Sequence, residues 1–209
     1  MRRKSYHCLA TTLGVLMLVG LGLASWPTVG QSQAAASTAV GQATAARAVL
    51  LGLLGTATSA SLVSTGISST NSESDVAQLT GGIPSLLTAE ALNAATYSYP
   101  NEVDSTASLG SLGLTVAGIR VTADSVVAQA SQPLGAAGSG SSYIANLAIN
   151  GVPIIVTGSP NQTIPLAGGQ IILNEQTVSS SGSTVVNAIH VALYGVADVV
   201  LASANASIS

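Results

Sequence analysis

A single histidine, His190, lies beyond the first 35 or so residues of the chain, and that long stretch holds no lysine, cysteine, phenylalanine or tryptophan. Side-chain catalysis draws mainly on His, Cys, Lys and clustered carboxylates. His190 with a serine and Asp124 or Asp198 has the composition of a hydrolase triad. No Gly-x-Ser-x-Gly elbow presents the nucleophile, and the plain structural reading is a strand histidine, hydrogen-bonded or partly exposed. Glu175 with Asp124 or Asp198 supplies two carboxylates of the kind that cleave glycosides at a set separation, but no aromatic platform for a sugar accompanies them. Glu102 and Asp104 beside Asn101 offer oxygen ligands suited to calcium; the EF-hand pattern is absent, and a solvated loop accounts for them. Asn174-Glu175-Gln176 follows an apolar Ile-Ile-Leu run and is the polar cluster with the strongest claim to a binding role. As a strand end bonded to a neighbouring loop it needs no ligand. Asn161-Gln162-Thr163 and Asn205-Ala206-Ser207 match the glycosylation sequon, which is frequent by chance. No catalytic, cofactor-binding or metal-binding residue is assigned, and no cofactor is expected.

The elements that must position these residues begin after a leader. Arg2, Arg3 and Lys4 precede an apolar run from Cys8 to Ala24, and Ala34-Ala35-Ala36 satisfies a small-x-small cleavage rule, so residues 1–35 read as a cleaved signal helix. Residues 36–209 are enough for one domain with its own core. Removal of the leader leaves Arg47 and Arg120 as the only Arg or Lys against all eight acids. Two arginines cannot neutralise a phosphate backbone, so nucleic acid is excluded as a main partner, and an anionic membrane surface is disfavoured. With no cysteine after the leader, no disulfide framework holds this exported domain.

The remainder alternates with period two, the mark of strands with one buried face. Leu112, Leu114 and Val116 lead through Gly118 to Ile119 and Val121. Leu147 and Ile149 lead through Asn150-Gly151, a hairpin signal, to Val152, Ile154 and Val156. Val185, Asn187, Ile189, Val191 and Leu193 alternate with Val186, Ala188, His190 and Ala192. Gly, Ser, Asn and Pro clusters at residues 81–84, 135–142, 158–162, 168–169 and 179–183 read as turns. Residues 85–95 (SLLTAEALNAA) contain good helix formers. However, Ala89-Glu90-Ala91-Leu92-Asn93-Ala94 is similar to Ala123-Asp124-Ser125-Val126-Val127-Ala128 and to Ala197-Asp198-Val199-Val200-Leu201-Ala202, which favours strand. The expected fold is all-β: an antiparallel β-sandwich, jelly-roll-like, after an N-terminal signal helix. Ala and Val at inward positions should let the sheets approach closely. Charged residues make up only 6% of the chain, so sheet edges lack their usual charged protection. Self-association through those edges is the expected partnership.

Residues 150–176 (NGVPIIVTGSPNQTIPLAGGQIILNEQ) and 186–205 (VNAIHVALYGVADVVLASAN) resemble blocks of the choice-of-anchor P family of bacterial secreted proteins. Residues 85–98 and 105–131 are similar to that family's earlier segments, so the resemblance runs from near Ala45 to the end. It implies an exported or surface-displayed domain and no particular chemistry. No C-terminal sorting motif follows the last strand, which points to release or non-covalent surface association. The expected function is a non-catalytic extracellular structural, adhesion or matrix domain, bound to itself or to other surface components. The alternative is a secreted ligand-binding module or a hydrolase with a site the sequence does not reveal.

Overall fold

Period-two alternation and turn residues build thirteen strands and no helix among the described residues of the computed structural model, which are residues 37–51, 57–179 and 182–209. The expected leader, residues 1–35, lies outside them, as do Ser180 and Ser181 of one expected turn. The strands are β1 (Ala39–Leu51), β2 (Ala57–Ser64), β3 (Ser72–Ile83), β4 (Leu87–Ser98), β5 (Glu102–Val116), β6 (Ile119–Pro133) and β7 (Ser139–Ala145). They continue with β8 (Ala148–Ile149), β9 (Val152–Pro153), β10 (Gln162–Leu166), β11 (Gly169–Ser179), β12 (Ser183–Leu193) and β13 (Ala197–Ile208).

One sheet has the order β10-β11-β12-β13-β1-β2 and the other β3-β4-β5-β6-β8-β9, with β7 also on β6. Every pairing is antiparallel. The sandwich is as expected; its jelly-roll character is not. Hydrogen-bonded neighbours are consecutive in sequence except at β13–β1 and β6–β8, and the chain changes sheet only between β2 and β3 and between β9 and β10. Tight turns explain this meander. Ala117-Gly118 (φ 47° and 79°) and Asn150-Gly151 (φ 51° and 78°) both adopt the left-handed pair that suits two-residue hairpins. The turn expected at residues 81–84 falls later, because β3 runs on to Ile83.

Leu92, Leu109, Leu114, Ile171, Leu173, Ile189 and Leu201 are among the largest fully buried side chains of a core built from Leu, Ile, Val and Ala. Small residues hold the layers close. A Cβ on Gly41 would fall 2.3 Å from Thr96 Cγ2 across the sandwich, and one on Gly140 would fall 2.3 Å from Val186 Cγ2. Such closeness brings interior hydroxyls within bonding range. Ser105 Oγ donates to the Asn205 carbonyl of the facing sheet at 2.7 Å, and the buried Thr184 Oγ1 donates to Gln132 Oε1 at 2.8 Å.

Each sheet carries a transverse line at which the alternation changes phase. On β13, Val199 and Leu201 point inward before the line, and Ala204, Ala206 and Ile208 after it. On β5 the inward set passes from Val103, Ala107 and Leu109 to Leu112, Leu114 and Val116. Left-handed non-glycine residues make the change: Val63 (φ 48°), Ala202 (51°) and Asn174 (51°) on alternate strands of one sheet, Ala91 (46°) and Ser111 (47°) on the adjacent β4 and β5 of the other. This line also sorts the three similar motifs. Ala89 and Leu92 on β4, like Ala123 and Val126 on β6, are inward residues on either side of it. Ala197, Val199 and Leu201 alternate without a break, so the third motif is not equivalent to the other two.

A left-handed L-residue costs about 1–2 kcal/mol, and glycine's extra freedom in the unfolded chain offsets roughly 0.5–1 kcal/mol of the gain from removing it. Ala91 is exposed, so nothing is lost from the core there. Ala91→Gly should therefore raise stability by up to about 1 kcal/mol, read as a higher urea midpoint. The same change at the exposed, extended Ala77 should lower it.

Candidate functional site

His190 lies on the outward face of β12, between β11 and β13. It pairs in register with Ile172 and Val200, so its immediate cross-strand neighbours are apolar. Its polar partners are diagonal. Nε2 is 3.0 Å from Asp198 Oδ2 on β13, and Nδ1 is 3.0 Å from Glu175 Oε2 on β11. Asn187 Nδ2 donates to the same Glu175 oxygen at 2.7 Å, and Ser203 Oγ donates to Asn187 Oδ1 at 2.7 Å. A chain of five polar side chains thus crosses three strands.

The phase change assembles it. In a uniform strand Asn187 and His190 would face opposite sides. Here Ala188 and Ile189 both turn inward, leaving Asn187 and His190 together on the outside. Glu175 and Ser203 reach the same face in the same way, three residues from Ile172 and Val200. The single alternation expected for residues 185–193 is corrected accordingly.

A neutral imidazole carries one N–H and one lone pair, whereas both nitrogens here meet a carboxylate oxygen. Only the imidazolium donates to both. Burial opposes that charge, but the hydrogen bonds His190 donates to Asp198 and Glu175, reinforced by their negative charges, outweigh it and hold the His190 pKa above its ordinary 6.5. The side chain is 18% exposed, against 26% for Glu175 and 49% for Asp198. No nitrogen is left to act as a general base, and no serine hydroxyl bonds to the ring among the described residues. The group is an ionic clasp.

The other sequence candidates are dispersed. Asp124 sits in the opposite sheet, where its Oδ2 accepts from Asn146 Nδ2 at 2.6 Å. Glu102 and Asp104 lie on β5, not in a loop, and Glu102 Oε1 accepts from Ser131 Oγ at 3.3 Å. Among the described residues no three His, Cys, Asp or Glu side chains are grouped to hold a metal. Asn174, Glu175 and Gln176 are divided by the phase change. Glu175 faces outward to His190. The buried Asn174 donates to the Gly158 carbonyl at 2.9 Å, and Gln176 Nε2 donates to Asn174 Oδ1 at 2.8 Å and to the Gly140 carbonyl of β7 at 3.0 Å. Asn174 and Gln176 tie a loop and the facing sheet to β11, so the three do not present one polar surface. Asn161 of the first sequon accepts from the Gln176 N–H at 2.9 Å. Asn187 and Ser203 were not singled out from the sequence. The one available signal is the i, i+3 spacing of Asn187 and His190, which contradicts the alternation around it.

A cleft of about 600 Å³ opens at the β3–β4 turn, lined by Ile83, Pro84, Leu86, Leu87 and Thr88 with Arg120. Neither His190 nor an acid borders it. No family model, curated protein or solved structure matches this chain.

Proposed function

We propose that this protein is a non-catalytic extracellular scaffold: an exported structural, adhesion or matrix domain that acts through its sheet faces and edges. The observation that carries this reading is the closure of His190 between two carboxylates, which commits the one histidine of the described residues to strand cohesion. A scarcity of charge, with Arg47 and Arg120 the only Arg or Lys among the described residues, supports it as well. The leader-like N-terminus and the resemblance to choice-of-anchor P domains support export. In this reading the chain partners with itself and with other surface components, and not with nucleic acid or lipid.

The test is turnover. The purified full chain should hydrolyse ester, glycoside and peptide substrates no faster than a His190→Ala variant. Hydrolysis that the substitution abolishes would overturn the proposal in favour of a hydrolase.

A further inference from the structure

We propose that β3 is the seat of self-association, two copies pairing their β3 strands antiparallel about a two-fold axis; this rests on the scaffold reading and names its contact. β3 ends its sheet and has no hydrogen-bonded neighbour beyond β4 among the described residues. It runs for 12 residues, and all of Asp75 to Thr80 are exposed, with Leu79 at 82% and Val76 at 38%. Such an edge is a template for another strand. β2 packs near β3 from the other sheet without pairing to it.

At two other uncovered stretches side chains close the backbone. Where β2 stops short of covering β1, the hydroxyls of Thr65, Ser68 and Thr70 accept from the N–H groups of Ala43, Gly41 and Ala39 at 3.1, 2.8 and 3.0 Å. Beside β10, the Gln162 amide takes the Thr157 N–H at 2.8 Å and donates to the Ile155 carbonyl at 2.8 Å. β10 itself has five residues. Among the described residues, Asp75 to Thr80 of β3 have no comparable side-chain cover.

A second copy fits this edge for two reasons. The first is phase. Opposed residues in a ladder must point to the same face. Ser72 and Ser74 are the half-buried positions at one end of β3, and Gly81 and Ile83 at the other, so the alternation switches within the strand. Pairing Ser74 with the partner's Ile83, Asp75 with the partner's Gly82, Val76 with the partner's Gly81 and Ala77 with the partner's Thr80 matches faces throughout. Only Gln78 and Leu79 at the axis carry the switch. A uniform strand could not pair with itself in this register. The second reason is charge. Glu73 and Asp75, the two acids of β3, are kept apart from their copies, because Asp75 meets a glycine. Parallel in-register pairing would stack each acid on its twin, at a cost.

The experiment uses the full chain in sedimentation velocity over a concentration series, beside a Leu79→Lys variant whose thermal unfolding serves as the folding control. The native chain should show a concentration-dependent dimer, and the variant should stay monomeric at an unchanged Tm. In a Cys8→Ser background, Ala77→Cys with Thr80→Cys should oxidise to a covalent dimer, and Ala77→Cys with Gly82→Cys should not. A native monomer at every concentration overturns the proposal. So does association that survives Leu79→Lys without the register-specific cross-link, an outcome that leaves the scaffold reading in place. Turnover lost on His190→Ala would strike the scaffold reading and leave the β3 contact untouched.

Discussion

Gly41→Ala is expected to destabilise the domain by about 2–3 kcal/mol, because extra volume in a packed core forces side chains or backbone to move. Gly41 is not glycine for its backbone angle, since it is not among the residues with positive φ. It is glycine for space. The added carbon would lie 2.3 Å from Thr96 Cγ2, 2.9 Å from Val103 Cγ1 and 3.0 Å from Ser105 Oγ, all on fully or almost fully buried residues. The Gly41 backbone has little room to retreat, as its N–H donates to Ser68 Oγ at 2.8 Å and its carbonyl accepts the Ser68 N–H at 2.8 Å. For a domain of this size the loss corresponds to a fall of roughly 5–10 °C in Tm. A double-mutant cycle gives the cause. Thr96→Ser removes the nearest atom, so the cost of Gly41→Ala should shrink by about 1 kcal/mol or more in that background. An equal cost in both backgrounds would show that the sheets separate easily at this point.

His190→Ala is expected to remove about 1–2 kcal/mol below pH 6.5, the contribution of a charge-assisted clasp discounted for its partly exposed carboxylates. The substitution leaves Glu175 and Asp198 without the cation between them. The pH dependence has a definite sign. The folded-state pKa lies above the unfolded value of 6.5, so the clasp contributes fully below 6.5 and its contribution is lost as pH rises through the folded pKa. Urea midpoints of the native chain should fall across that window, and those of His190→Ala should stay flat there. Asp198→Asn and Glu175→Gln should each shrink the slope, since each acid raises the pKa through both its hydrogen bond and its charge. A native chain whose midpoints do not change across the window would mean that the ring is neutral and one contact unfavourable.

The clasp also marks how far the sequence could be read. Asp198 and Glu175 were both named as partners for His190 or for each other, because acids and a histidine are few enough to enumerate. Their meeting around one ring was not legible. It depends on the β11–β12–β13 register and on a phase change carried by Asn174 and Ala202, neither of them a residue type that requires a left-handed backbone. Glycine would have signalled that conformation in the sequence; Ala202 does not. Asn187 and Ser203 were missed for the same reason, since uniform alternation assigns Asn187 to the face opposite His190. Gly41 was equally silent: an inward glycine and a turn glycine read alike until the facing sheet is in place.

Strand identity was determined by local physics. Alternating Val, Leu, Ile and Ala cannot bury one face except as strands, and Asn150-Gly151 and Ala117-Gly118 close their hairpins whatever surrounds them. The scarcity of charge and of reactive side chains is likewise a property of composition. Tertiary structure decided the rest: a meander in place of a jelly roll, the transverse lines where alternation reverses, the clasp those lines assemble and the open edge of β3. Each depends on which strand lies beside or across from which, and that is set by the summed packing of two sheets rather than by any residue's neighbours in the chain.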